Sequence, residues 1–204
     1  MGEIVRKLAG LAGAIALAAA AGACSSSGGS TSATATAVPR SGTETITAML
    51  TGAPAASYFS GGGATPPSFP SVVFAGVVNT TIRGPVTLGG STGKTVTHTF
   101  VTPAGNLTIR RTEKIRNNQL APAGQSGSTC YFTASVTGVY TVVGSQSTGK
   151  FAGATGSGTY VTTVAVGADL QPGRTTCSVS NAGNVIAKGT SITYRASGPL
   201  TVKQ

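Results

Sequence analysis

Four glycines, Gly149, Gly153, Gly156 and Gly158, crowd the segment Gly149–Tyr160 between two runs of β-forming residues. This spacing constrains the fold more than any other feature of the chain. Glycine tolerates positive φ and lets backbones approach closely, so the stretch predicts a tight re-entrant turn between strands, with its lone Phe151 folded inward as a plug.

The flanking sequence alternates. Glu44–Thr51 places Ile46, Ala48 and Leu50 on one face of a first strand, starting at Glu44. Gly52–Pro70, with Gly61–Gly63 and four prolines, predicts a long loop without helix or central strand. Ser71–Thr80 and its continuation to Leu88 past Gly84-Pro85 read as one strand or two. Lys94–Val101 and Asn106–Thr112 form a hairpin around Pro103-Ala104-Gly105, followed by a polar, flexible connection from Lys114 to Thr129. Further strands are expected at Cys130–Val136, Val139–Val143, Thr159–Val166, Thr175–Val179 and Thr190–Ala196. Eight to nine short strands with glycine-rich turns and no helical stripe imply an all-β domain over residues 44–204. It is either a single antiparallel barrel of about eight strands or a two-sheet β-sandwich.

At this point the residues reach a family. Gly144–Tyr160 is similar to the turn-and-strand signature of the allene oxide cyclase barrel-like superfamily, which includes the dirigent proteins. Val77–Thr81 and Thr102–Thr108 resemble segments of exported bacterial members. The resemblance covers Glu44 to Val202. It implies an eight-stranded antiparallel barrel, often oligomeric, whose lumen in the plant proteins holds an apolar or phenolic substrate.

The N-terminus reads as an export signal over residues 1–23: Arg6 and Lys7, then Leu8–Ala23 built only from Leu, Ala, Gly and Ile. That run is short of the ~20 apolar residues of a membrane span and ends in small residues. Cys24 follows immediately, so the segment resembles a bacterial lipoprotein signal with Cys24 as the lipidated residue, although Ala21 stands where such signals usually carry Leu. Residues 24–43 form a flexible Ser/Thr/Ala/Gly tether. The expected location is the outer face of the cytoplasmic membrane in the cell envelope, with free secretion as the alternative. Three cysteines leave one over in an oxidising compartment; lipid on Cys24 uses it, and Cys130 and Cys177 form a disulfide. Their 47-position separation allows roughly 4 kcal/mol at most from chain entropy.

Loss of Glu3, Arg6 and Lys7 with the signal turns a net charge of +10 into +9. A cation of this kind attracts anionic envelope polymers or lipid headgroups. The basic run Arg110–Arg116 lacks the aromatics or the groove-reading helix of specific nucleic-acid binding.

Acid–base chemistry has few entries: Glu44, Glu113, Asp169 and His98 in the exported chain. Glu44 and Asp169 are expected at strand and turn positions facing solvent. His98 shares a face with Val96 and Phe100 and points inward if that face is the core, either as a site residue or satisfied by a neighbouring hydroxyl or carbonyl. Alternation puts Leu107, Ile109, Arg111 and Glu113 together, giving either a polar spot in a lumen or a frayed hairpin end. Val96, His98, Phe100, Ile109 and Arg111 are therefore the candidate ligand-lining residues, and His98 and Glu113 the only catalytic candidates. One histidine and two distant cysteines do not make a zinc site, and no cofactor is implied. The letters G-x-S-x-G at Gly89–Gly93 lack the strand-to-helix elbow of a hydrolase. These features favour a ligand-binding envelope barrel over an enzyme. A cyclase or isomerase of allene oxide cyclase or dirigent type is one alternative, and a structural or adhesive envelope protein the other.

Overall fold

The computed structural model describes residues 38–60, 67–88 and 95–203, with 59–60 and 116–118 as backbone only. The export signal, Cys24, the tether to residue 37, Gly61–Gly63 and Gly89–Gly93 lie outside the described residues. The elements are β1 (Arg40–Thr51), α1 (Ala53–Ser60), β2 (Ser68–Ala75), β3 (Thr80–Thr87), β4 (Thr95–Thr102), β5 (Gly105–Ser126), β6 (Thr129–Val142), β7 (Thr155–Leu170) and β8 (Ala182–Val202).

Strict alternation in β1 buries Glu44, Ile46, Ala48 and Leu50 and leaves the intervening side chains outward. The same period runs through β2, β3 and β4, and the inward residues of the sheet merge into one core that includes Phe74, Phe100, Ile109, Tyr140 and Tyr194. All eight strands form one antiparallel sheet in the order β3-β2-β1-β8-β7-β6-β5-β4. This is an up-and-down meander in which first and last strands pair, β1 against β8 from Arg40↔Val202 to Thr51↔Ser191. The barrel is nearly closed, and its seam lies between β3 and β4, the two ends of the strand order. Phe74 on β2 and Phe100 on β4 meet edge to face across that region, centroids 5.3 Å apart.

The outer surface is kept polar by hydroxyls rather than charge. Ser41 bonds Thr201, and Thr95 bonds Thr112, at 2.8 and 3.0 Å, each directly across a strand pair. Such cross-strand pairs add a few tenths to ~1 kcal/mol each.

Beyond the barrel, β5 to β8 extend together. Cys130, Phe132 and Ala168 form a second small core there, with Leu120, Leu170 and Ala182 against it. The Cys130–Cys177 disulfide, Cα atoms 5.6 Å apart, ties the β7–β8 connection to this extension.

Several expectations are corrected. The Gly52–Pro70 region contains α1; Pro54 lies in its first turn, where no N–H is needed, and Ala55 packs fully into the main core. Residues 114–126 are not a flexible connection but the second half of β5, which pairs with β6 through three register shifts. Thr175–Val179 is not a strand: a turn at Gln171–Arg174, with Gly173 at φ 79°, leads into the loop carrying Cys177. Asp169 is in β7 rather than a turn, although exposed as expected. β1 starts four residues earlier than Glu44. Two strands result from 68–87, and β3 bulges at Gly84-Pro85 opposite Pro70, where neither proline can donate to the ladder.

The glycine-dense stretch divides in two. Gly149 and Gly153 have φ of 59° and 66° in the turn, and Phe151 is fully buried. Gly156 and Gly158 are not turn residues; they face inward from β7.

Candidate lumen site

The register of the strands lays the inward residues out in belts. Glu44 on β1 pairs with Gly198 on β8, which lies against Gly158 on β7. Gly158 pairs with Tyr140, Tyr140 with Arg111 and Arg111 with Val96. The neighbouring belt runs Ile46, Ala196, Tyr160, Gly138, Glu113. Large and small residues alternate, so each tyrosine spreads over a neighbouring glycine and the belts interdigitate.

The centre of this arrangement is Arg111. Its guanidinium carbon stands 5.4 Å from the ring centroids of both Tyr160 and Tyr194, and the residue is only 7% exposed. Cation–π attraction of this kind strengthens as water is excluded. The strand does not fray at this point, because β5 continues to Ser126. Arg111 is thus buried inside the barrel rather than at a frayed hairpin end. Glu113 is half-buried on the same face, just before a register shift.

His98 points inward from β4, diagonal to Arg111, and its ring meets Phe100 edge-on with centroids 4.7 Å apart. Its Nε2 is buried without a hydrogen-bond partner among the described residues. Burial, and next the Arg111 charge, lower its pKa to about 4, so the imidazole is neutral at pH 7. A neutral ring offers one donor and one acceptor.

Three tyrosines complete the group, and none of them was singled out by sequence reasoning. The Tyr194 hydroxyl is buried and engages the Arg111 side chain. Its pKa is raised to about 12, mainly by burial and against the pull of Arg111. Tyr140 is raised by burial and by the charge of Glu44.

Glu44 corrects an expectation outright. It is 1% exposed, not solvent-facing, because it shares the inward parity of Ile46, Ala48 and Leu50. One carboxylate oxygen accepts the Val78 N–H at 2.9 Å, and the other has no partner among the described residues. Burial raises its pKa, while the Val78 and Val77 N–H groups and Arg40 oppose that rise. The signal was available in the sequence: Glu44 is two residues before Ile46.

Of the predicted lining residues, Phe100 and Ile109 are fully packed in the core, Arg111 is buried, and Val96 and His98 are half-buried. Inward residues flanking the seam, Ile82, Val86, Val96 and His98, all keep partial exposure, whereas those of β1 and β8 between Ile46 and Ala48 and between Ile192 and Ala196 are buried. No family model, curated protein or solved structure matches this chain.

Proposed function

We propose that this chain is an exported envelope protein, anchored through a lipid on Cys24, whose barrel holds a small phenolic or otherwise largely apolar molecule at the Arg111 cluster. The observation that carries the reading is the grouping of polar atoms in an apolar lumen. The His98 Nε2 is buried without a hydrogen-bond partner among the described residues, next to the Arg111 guanidinium that also engages the buried Tyr194 hydroxyl. A buried polar atom left without a partner costs about 1–3 kcal/mol, and a ligand hydroxyl that bonds the His98 Nε2 recovers that cost. Aromatic walls from Tyr160, Tyr194 and Phe100 suit an apolar ring. The meander topology is in keeping with the resemblance to the allene oxide cyclase barrel-like superfamily, on which the phenolic ligand class also draws.

Native mass spectrometry of the protein purified from its host tests the lumen reading. A retained small-molecule adduct, lost in Arg111→Met, is the expected result; a bare protein in every preparation contradicts it. Intact-mass analysis tests the anchor separately, through a diacylglyceryl adduct on Cys24.

A further inference from the structure

We infer that the barrel end carrying Arg40 docks onto an anionic phospholipid bilayer. At this end the β2–β3 turn, the β4–β5 turn and the β6–β7 connection meet the start of β1 and the end of β8. They enclose a cleft of about 860 Å³ whose walls include Val77, Val78 and Val202. Arg40, Lys150 and Lys203 rim it, all three exposed. Among the described residues, no acidic side chain lines it. The nearest, Glu44, is buried behind the wall and held by the Val78 N–H, and the exposed Asp169 belongs to the far end of β7.

Three cations around apolar walls match the chemistry of a bilayer interface. Lysine ammonium and arginine guanidinium groups meet phosphate, while their apolar stems lie along the interface. The loop that supplies Lys150 is itself fixed: the Lys150 N–H donates to the Ala104 carbonyl at 2.9 Å, and Phe151 anchors it in the core. The cations therefore project from a rigid frame.

Where the chain enters the fold selects the occupant. Residue 40 begins β1 on this rim, 16 positions after Cys24. A Gly/Ser-type linker of that length would have a root-mean-square span of about 20–25 Å. If Cys24 carries lipid, as proposed above, this end is the one held next to the bilayer; docking rests on that reading only for the direction of approach. The anionic surface then adds about fivefold in affinity per basic residue.

The test uses the chain as its host exports it, with Cys24→Ser to remove the lipid, so that docking and anchoring fail independently. Co-sedimentation is measured on vesicles of phosphatidylcholine with about 30% phosphatidylglycerol and on phosphatidylcholine alone. The expected result is binding to the anionic vesicles only, weakened at least about tenfold in Lys150→Glu/Lys203→Glu and in the milder Lys150→Gln/Lys203→Gln. Lys114→Glu/Arg195→Glu, on the barrel wall, should bind like the parent. Equal binding to both vesicle types, or unchanged binding by both rim variants, overturns the inference. Retention on heparin that depends on the rim, without vesicle binding, overturns it in favour of an anionic polymer.

Discussion

Tyr160 lies directly across from Gly138, and its ring occupies the space that a side chain at 138 would need. A Cβ on Gly138 would stand 2.6 Å from a Tyr160 ring carbon and 2.3 Å from the Thr112 carbonyl oxygen. Two positions along, the relation is reversed: Tyr140 faces Gly158, where a Cβ would be 2.7 Å from the Tyr140 ring. These reciprocal pairs let two tyrosines and an arginine share the interior of a narrow barrel, and they pin the register of β6 on β7.

Gly138→Ala should therefore be strongly destabilising, by about 3 kcal/mol, because neither the backbone carbonyl nor the packed ring can yield freely. Gly124→Ala is the control, since a Cβ there meets nothing within 4 Å; it should be neutral or gain a few tenths of a kcal/mol through the unfolded state. Urea unfolding midpoints check both. Equal effects at the two sites would show that general strand propensity, not the tyrosine pairing, governs these glycines.

Glu44 should separate hydrogen bonding from charge. Glu44→Gln keeps an acceptor for the Val78 N–H and removes a buried carboxylate, so at pH 7 it should be neutral or stabilising by about 1 kcal/mol. Glu44→Ala leaves that N–H unsatisfied and should cost about 2 kcal/mol. Chemical denaturation of the two variants side by side decides it; equal losses in both would mean that the charge itself is needed.

His98 gives the fold an acid-sensitive term. Its folded pKa, about 4, lies below the ordinary 6.5, so the unfolded chain takes up the proton first. Stability from this group is complete above pH 6.5 and declines as pH falls towards 4, by about 3 kcal/mol at most. Glu44, raised above its ordinary value, acts with the opposite sign, gaining stability as it is protonated. Denaturation midpoints of the parent and His98→Leu between pH 4 and 7 isolate the histidine. The parent should lose ground to the variant on acidification, and parallel profiles would contradict the buried neutral ring.

The Cys130–Cys177 bond joins the tip extension rather than the barrel core. Replacing both with Ser should cost about 2–4 kcal/mol, with the loss of hydrogen-exchange protection concentrated in 120–132 and 168–182. Protection lost first around Ile46 and Tyr194 would mean that the disulfide supports the barrel itself.

Alternation made the barrel legible in the sequence. Ile46, Ala48 and Leu50, the Val96–Phe100 strand and the Leu107–Arg111 strand all carry a period of two, and each faces inward as that period dictates. Phe151 was legible for an equally local reason, and the disulfide from the cysteine count. The remainder depended on partners distant in the chain. Polar residues 114–126 form a strand only because β6 pairs with them, and Gly158 is a lumen residue only because Tyr140 stands across from it. Glu44 was misplaced because residue type outweighed parity. The tyrosine cluster escaped notice because Tyr140, Tyr160 and Tyr194 are brought together by three-strand register, which no single segment encodes.

A direct measurement of the proposed lumen site is an NMR titration with p-cresol as the probe, following the His98 imidazole and Arg111 guanidinium resonances. Saturable shifts at both groups, absent in Arg111→Met while that variant keeps its fold, are the predicted result. Resonances that stay fixed up to the solubility of p-cresol, or shifts confined to the outer face around Val139 and Arg195, would contradict a ligand site at the Arg111 cluster.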